Sequence, residues 1–262
     1  MISTARLRYN TRMKTCPTPL SRRAVRLGFA LSAALALLSP GGASAQDTPA
    51  KSAEKALVVA CIGDSLTYGH GASDREKTTY PAQLQQLLGS GWSVVNFGHN
   101  ARTALDDGKE WNGKGGMGYR KSPRFKNALE SGPDVVLFLL GTNDSKPINW
   151  EGRAEDVKRD YERLVDDFLK LDKKPAVVIA TSPFVKKDSF SIRGKVVEEL
   201  VAWQKAFAER RGFALVDLHE ATKAAAGSSY IGDGVHLNDA GYGLVAAKFA
   251  EALRALEPKL RK

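Results

Sequence analysis

Three short motifs in this sequence carry side chains suited to nucleophilic catalysis. Ser65 lies in Gly-Asp-Ser-Leu, His236 ends Asp-Gly-Val-His, and Asn143 lies in Gly-Thr-Asn-Asp. Ester cleavage requires a nucleophile, a base that takes its proton, a group that orients the base, and donors for the oxyanion. Imidazole titrates near neutral pH, and Asp233 stands three residues before it. We therefore predict Ser65 as nucleophile, His236 as base, Asp233 as its orienting partner and the Asn143 amide as an oxyanion donor.

Five short apolar runs are the elements that must position these side chains. They are rich in Val, Ile, Leu and Phe on consecutive positions, as in parallel strands that are covered on both faces; they are Ala56–Ile62, Trp92–Phe97, Asp134–Leu140, Ala176–Thr181 and Phe213–Leu218. Stretches with helical period alternate with the later runs; the second of them includes Ile192 and Val196. This alternation predicts one α/β domain over residues 56–258, a three-layer α/β/α sandwich with a parallel five-stranded sheet, followed by a tail at 259–262.

The candidate motifs follow predicted strands, and open parallel sheets bind ligands beyond the carboxyl ends of their strands. A fourth segment, Gly98–Thr103, follows the second run. Each motif alone has an ordinary structural explanation, such as a serine that caps a helix or a histidine that packs in a turn. Their joint occurrence at strand ends favours a catalytic site. The stretch from Ala104 to Pro123, rich in Gly, Lys and Asp, is predicted to be a long surface loop.

The first 45 residues have the features of an export signal. They contain seven basic residues and no acidic one, then an apolar run over Leu27–Leu38 and a small-x-small site ending at Ala45. The run is too short to span a bilayer. We expect an exported protein, periplasmic or extracellular, with a flexible leader at 46–55 and no stable membrane insertion after cleavage. A start at Met13 and twin-arginine export through Ser21-Arg-Arg are open alternatives.

Removal of the predicted signal, residues 1–45, lowers the net positive charge of the chain. Lys plus Arg falls from 39 to 32 against 29 acidic residues, so the net charge falls from +10 to +3. A nucleic-acid partner is therefore not expected. Only Cys61 remains, in an apolar run typical of a buried thiol. The histidines (His70, His99, His219 and His236) lack paired ligand spacing, so we predict neither a metal site nor a cofactor.

Four motifs together resemble the SGNH, or GDSL-type, hydrolase family; they are Ile62-Gly-Asp-Ser-Leu66, Val95-Asn-Phe-Gly98, Leu140-Gly-Thr-Asn-Asp144 and Asp233-Gly-Val-His236. The resemblance implies a flavodoxin-like fold and metal-free ester hydrolysis through an acyl-serine intermediate. It also implies an oxyanion hole formed by the N–H groups of Ser65 and Ala101 and by the Asn143 amide. The family has glycine where this chain has Ala101; alanine keeps the N–H, so the oxyanion hole can form if the backbone there has a negative φ. Gly98 is the second choice for that donor.

Within the family, the segment ending at Trp150 is similar to bacterial acylhydrolases and sialate O-acetylesterase-like proteins. This similarity implies acetyl esters on carbohydrates, with a small-molecule or glycan ester as the only partner. Trp150 would stack on a sugar ring, with Asn149 and Arg102 as polar contacts; loop packing is the alternative for Trp150. A thioesterase or lysophospholipase with the same triad, a non-catalytic carbohydrate-binding protein and a flavin- or nucleotide-binding protein are the competing hypotheses.

Overall fold

The computed structural model describes residues 55–110 and 112–262. The predicted export signal at 1–45 and all but the last residue of the predicted leader lie outside the described residues. Five parallel strands form one sheet in the order β2-β1-β3-β4-β5. They are β1 (Leu57–Gly63), β2 (Trp92–Asn96), β3 (Val135–Leu139), β4 (Ala176–Ala180) and β5 (Ala214–Val216). The predicted parallel sheet is confirmed, and each strand bound lies within two residues of the predicted one.

Eight α-helices occur within the described residues. They are α1 (Ser65–Tyr68), α2 (Tyr80–Leu88), α3 (Pro123–Glu130), α4 (Pro147–Trp150), α5 (Ala154–Leu169), α6 (Gly194–Arg211), α7 (Leu218–Ala224) and α8 (Asp239–Leu260). Helix α6 begins at Gly194, so assigning Ile192 to it from periodicity was wrong. Helix α8 continues to Leu260, two residues beyond the predicted domain end. Within the part of the chain described, no helix combines the length and apolar character needed to cross a membrane.

Helices cover both faces of the sheet, which produces the predicted three layers. On one face, α2 and α8 bury side chains such as Tyr80, Tyr242 and Phe249 against β1, β3 and β4. On the other face, α3, α5 and α6 bury side chains such as Phe168 and Phe207. Since strand residues alternate between the two cores, the strands are apolar on consecutive positions. The strand order is the flavodoxin-like doubly wound order, which reverses direction beside β1.

The segment 104–123 is attached to the core more firmly than a surface loop. Ala104 and Leu105 are buried, and their N–H groups donate to the carboxylate of Asp144 at 3.0 and 2.9 Å. Burial raises the pKa of Asp144 to about 7, despite these hydrogen bonds. Tyr119, in a 3₁₀ turn near the other end, is also fully buried. The prediction of a surface loop therefore fails at both ends of the segment and holds in its middle, where residues 112–116 are exposed.

Candidate active site

A chain of two hydrogen bonds joins Ser65, His236 and Asp233 at the carboxyl end of the sheet. Ser65 Oγ lies 2.9 Å from His236 Nε2, and His236 Nδ1 lies 2.8 Å from Asp233 Oδ2. Ser65 is the first residue of α1, directly after β1, where Asp64 caps the helix by accepting from the Leu66 N–H at 3.0 Å. The nucleophile, base and orienting carboxylate predicted from the sequence therefore have the mutual geometry that proton transfer from serine requires.

The turn that carries Asp233 and His236 holds both side chains in place. Asp233 Oδ1 accepts from the N–H groups of Val235 and His236 at 2.9 and 2.8 Å, while Oδ2 receives the imidazole. Gly234 has φ of 74°, a conformation that favours glycine. Partial burial raises the pKa of Asp233, but hydrogen bonds from the His236 N–H and ring and from the Val235 N–H outweigh it, so the net pKa is lowered. Asp233 therefore stays charged behind the imidazole.

The same environment keeps His236 neutral near neutral pH. Burial lowers the pKa of its imidazole below the usual value. The Asp233 carboxylate opposes this effect, and electrostatic interactions with His70 and Lys146 lower the pKa of His236 further. A neutral imidazole whose Nδ1 proton is directed to Asp233 leaves Nε2 free to accept the proton of Ser65.

Two backbone amides are available as oxyanion donors. Among the described residues, the N–H groups of Ser65 and Ala101 have no hydrogen-bond acceptor, and both residues line the pocket at Ser65. Ala101 has φ of 60°, so the negative φ that was the condition for its role as donor is not found; this left-handed conformation costs an alanine about 1 kcal/mol. The N–H of Gly98 is donated to Asn96 Oδ1 at 2.9 Å, so the alternative assignment of Gly98 as donor was also wrong.

The amide of Asn143 reaches the pocket but is already engaged. Its Nδ2 donates to Asp64 Oδ2 and to the carbonyl oxygen of Arg102, both at 3.2 Å. Burial raises the pKa of Asp64 to about 6, against the hydrogen bonds from Leu66 and Asn143. Both amide hydrogens of Asn143 therefore have acceptors in this structure, at long distances that allow one of them to be shared with an oxyanion.

The pocket at Ser65 has a volume of about 250 Å³ and includes residues that sequence reasoning did not assign to the site. Its walls are formed by Ser65, His70, Asn100, Ala101, Glu110, Asn143, Lys146, Phe190, Ile192 and His236. Lys146 is only 3% exposed, and its Nζ lies 3.5 Å from Glu110 Oε2. The ring centroids of His70 and Phe190 lie 4.3 and 5.7 Å from that of His236. No sequence motif marked His70, Glu110 or Phe190 as part of the site. Lys146 could have been suspected from the sequence, because it stands two positions after Gly-Thr-Asn-Asp.

The three residues predicted to contact substrate do not reach this pocket. Asn149 is fully buried, where its amide donates to the carbonyl oxygens of Lys109 and Asn143, so a direct substrate contact was wrong. Trp150 is partly buried and packs against the apolar cluster of Leu105, Val157 and Leu200, as the loop-packing alternative expects. The guanidinium of Arg102 donates to His99 and to the Gly116 carbonyl oxygen, and only its backbone carbonyl contacts the site.

One group of side chains at the site has the composition of a metal-binding cluster. The potential ligand atoms of His70, Asp233 and His236 lie within 4.8 Å of one another. Histidine spacing in the sequence missed this cluster because His70 and His236 meet only in the fold. The ring nitrogens of His236 are bonded to Ser65 and Asp233, so a metal ion there would displace one of these partners.

Comparison with known proteins agrees with the fold and identifies a family. Residues 61–244 match the GDSL-like lipase/acylhydrolase family. An acetylxylan esterase from Xylanibacter ruminicola is 37% identical over 220 residues, which cover 77% of this chain and 43% of that protein, so the chain spans less than half the length of this curated relative.

Solved structures share the architecture. A carbohydrate acetylesterase family member from Sinorhizobium meliloti has a TM-score of 0.61 at 25% identity, covering 76% of this chain and 98% of that one. An aryl esterase from M. smegmatis has a TM-score of 0.58 at 21% identity, covering 77% of this chain and 100% of that one. At this identity the match is evidence for a shared fold and for nothing more. On the extent of the family match and the identity to the curated relative, the chain belongs to the GDSL-like lipase/acylhydrolase family.

Proposed function

We propose that this protein is a serine esterase that hydrolyses short acyl esters, principally acetyl esters on carbohydrates, through an acyl-serine intermediate. The observation that carries the proposal is the hydrogen-bonded chain from Ser65 through His236 to Asp233, which ends in a pocket with two free backbone amides. A serine hydroxyl bonded to a neutral, oriented imidazole is activated for attack on a carbonyl carbon.

The first half of the reaction forms the acyl-enzyme. Ser65 Oγ attacks the carbonyl carbon while its proton passes to His236 Nε2, and the carbonyl electron pair moves onto oxygen. The N–H groups of Ser65 and Ala101 and the Asn143 amide donate to this oxyanion. When the tetrahedral intermediate collapses, the ester C–O bond breaks and the imidazolium of His236 protonates the departing alcohol.

The second half regenerates the serine. Water that enters the pocket gives a proton to His236 Nε2 as its oxygen attacks the acyl carbon. Collapse of the second tetrahedral intermediate breaks the bond to Ser65 Oγ, which takes the proton back, and the carboxylic acid leaves. Asp233 remains ionised throughout and stabilises the imidazolium that forms twice in each cycle.

The dimensions and lining of the pocket support a small acyl group. Its volume of about 250 Å³ lies below the range typical of pockets for drug-sized ligands, and Asn100, Glu110 and Lys146 place polar groups in a wall that is otherwise mainly apolar. A long acyl chain would desolvate these polar groups without pairing them. The curated relative is an acetylxylan esterase and one structural neighbour belongs to a carbohydrate acetylesterase family, which supports an acetylated carbohydrate as substrate. The export predicted from residues 1–45 accords with a polysaccharide substrate.

Hydrolysis of p-nitrophenyl acetate, p-nitrophenyl octanoate and acetylated xylan by the purified protein tests the proposal. We expect turnover of the acetate, weak turnover of the octanoate and release of acetic acid from xylan. Ser65→Ala should lose at least about 10⁴-fold in kcat on every substrate while keeping its unfolding temperature.

Three results would contradict the proposal. Retained turnover in Ser65→Ala would exclude Ser65 as nucleophile. Preference for octanoate would favour the lysophospholipase or thioesterase alternative, and glycan binding by a folded wild type without any turnover would favour a carbohydrate-binding protein.

A further inference from the structure

A second cavity adjoins the catalytic pocket and shares a wall with it. This cavity has a volume of about 380 Å³, and Phe190 and Ile192 line both it and the catalytic pocket. Its remaining wall includes the polar residues Asp188, Ser189, Ser191 and Arg193. All of these residues lie on the segment between β4 and α6, which no motif in the sequence marked. A substrate that extends out of the catalytic pocket past Phe190 enters this second cavity directly.

Phe190 is an exposed aromatic side chain at the junction of the two cavities. It is 52% exposed, and its ring centroid lies 5.7 Å from that of His236. Phe190 and Ser191 have φ of 54° and 62°, so two consecutive residues with side chains adopt the left-handed conformation. Each costs roughly 1 kcal/mol, and such strain concentrates where a side chain must be presented in a particular direction.

The segment is fastened to the turn that carries the catalytic base. Ser189 Oγ donates to the carbonyl oxygen of Asp233 at 2.7 Å, and the N–H of Lys186 donates to the carbonyl oxygen of Gly234 at 2.9 Å. Behind the segment, Val185, Ile192 and Val235 belong to one buried apolar cluster. Phe190 is therefore held at a fixed position relative to His236, and a group that rests on its ring is held relative to the reacting carbonyl.

The chemistry of the second cavity fits an uncharged polyhydroxylated ring. Asp188 Oδ1 accepts from the Gly194 N–H at 2.8 Å, while Oδ2 has no partner among the described residues and can accept from a hydroxyl. Arg193 is half-exposed and paired with Glu151 at 2.7 Å, so its charge is already balanced. An aromatic face beside hydroxyl and carboxylate groups matches a pyranose, whose C–H face is apolar and whose rim carries hydroxyls.

We propose that Phe190 and the cavity beside it form a second saccharide subsite, which binds the neutral sugar ring next to the acetylated one in an oligosaccharide or polysaccharide. This inference rests on the proposed function, because it gives a carbohydrate ester a second point of attachment. Phe190 takes the stacking role that the sequence had suggested for Trp150.

Steady-state kinetics on acetylated xylose, acetylated xylotetraose and p-nitrophenyl acetate test the subsite. Four variants are compared with wild type: Phe190→Ala, Phe190→Leu, which keeps apolar bulk without an aromatic face, Phe190→Trp, and the control Leu215→Ala. Leu215 is also a large exposed apolar residue, 41% exposed, and lies on β5 outside both cavities. The measured quantity is kcat/KM for the tetraose divided by kcat/KM for p-nitrophenyl acetate.

We expect wild type to prefer the acetylated tetraose to acetylated xylose. Phe190→Ala and Phe190→Leu should lower the ratio about tenfold through KM, since they remove one aromatic stacking contact. Phe190→Trp and Leu215→Ala should keep the ratio within about twofold of wild type.

Different failures have different meanings. A ratio unchanged in Phe190→Ala and Phe190→Leu, or equal use of the monosaccharide and the tetraose, would overturn the subsite and leave the proposed esterase intact. Turnover of p-nitrophenyl acetate without release of acetic acid from either sugar would overturn the carbohydrate substrate and the subsite together.

Discussion

Replacement of Asn143 by alanine tests how the oxyanion hole is built. One oxyanion donor contributes about 2.7–4 kcal/mol to transition-state stabilisation. In this structure the Asn143 amide already donates to Asp64 Oδ2 and to the Arg102 carbonyl oxygen, each at 3.2 Å. Sharing one of these hydrogens with the oxyanion weakens a hydrogen bond that contributes about 1 kcal/mol. The difference of roughly 1.7–3 kcal/mol predicts that kcat falls about 20- to 150-fold in Asn143→Ala.

A second consequence of the same replacement concerns stability. Asp64 is fully buried, and Asn143→Ala removes the side-chain donor to its Oδ2. An acceptor left without its donor in such a place costs about 1–3 kcal/mol in the free energy of unfolding. Asn149→Ala is the matched control, because it deletes another buried amide, one that lies outside the pocket and hydrogen-bonds the Asn143 carbonyl oxygen. It should destabilise the protein to a similar degree with a much smaller loss in kcat.

The assay combines kcat and KM on p-nitrophenyl acetate with urea unfolding of the same preparations. We expect kcat to fall in Asn143→Ala while KM stays within about threefold, since the donor acts on charge that develops only in the transition state. A folded Asn143→Ala with kcat within threefold of wild type would refute the reasoning, and the oxyanion would then be held by the amides of Ser65 and Ala101 alone. An equal loss of kcat in Asn149→Ala would show that the effect is one of general packing.

Two further predictions concern the base and the strained donor. Because His236 must be neutral to accept the serine proton and burial lowers its pKa, kcat/KM should rise with pH to a plateau with a midpoint below 6.5. His70→Gln removes an electrostatic interaction that lowers the pKa of His236, so it should move the midpoint upward. A profile that is flat from pH 5 to 8 would exclude His236 as base. Ala101→Gly should retain at least half of the wild-type kcat. Ala101→Val should lower the free energy of unfolding by more than about 1 kcal/mol, because a β-branched residue tolerates a φ of 60° poorly. Equal urea midpoints for the two variants would contradict the assigned backbone conformation.

The sheet and the positions of Ser65, Asp233 and His236 could be predicted because parallel strands impose strong rules on sequence. A strand buried on both faces must be apolar throughout, and its carboxyl end must be followed by the residues that meet at the site. Thus Gly63 ends β1 directly before Asp64 and Ser65, and the turn with His236 directly precedes α8. These relations are local in sequence, so a single chain reveals them.

The remaining parts of the site depend on contacts between segments far apart in the chain. Glu110 and Lys146 meet across the pocket from a loop without periodicity and from a turn, and Phe190 lies on a segment whose composition is that of an ordinary connection. Trp150 and Asn149 were predicted as substrate contacts because of their residue types, but the fold buries Asn149 and packs Trp150 against an apolar cluster. Residue type near a motif does not determine on which side of the backbone a side chain lies.

Two buried aspartates join the catalytic motifs into one unit. Asp64 accepts from the Leu66 N–H, which fixes the start of α1 at the nucleophile, and from the Asn143 amide, which places an oxyanion donor beside it. Asp144 accepts from the N–H groups of Ala104 and Leu105, three and four residues after Ala101, the proposed donor. Burial raises the pKa of both carboxyls, to about 6 and about 7, and these hydrogen bonds oppose that rise by stabilising the ionised form. The motif aspartates thus hold the proposed nucleophile and the proposed oxyanion donors at fixed distances before substrate arrives, the preorganisation on which electrostatic stabilisation of a transition state depends.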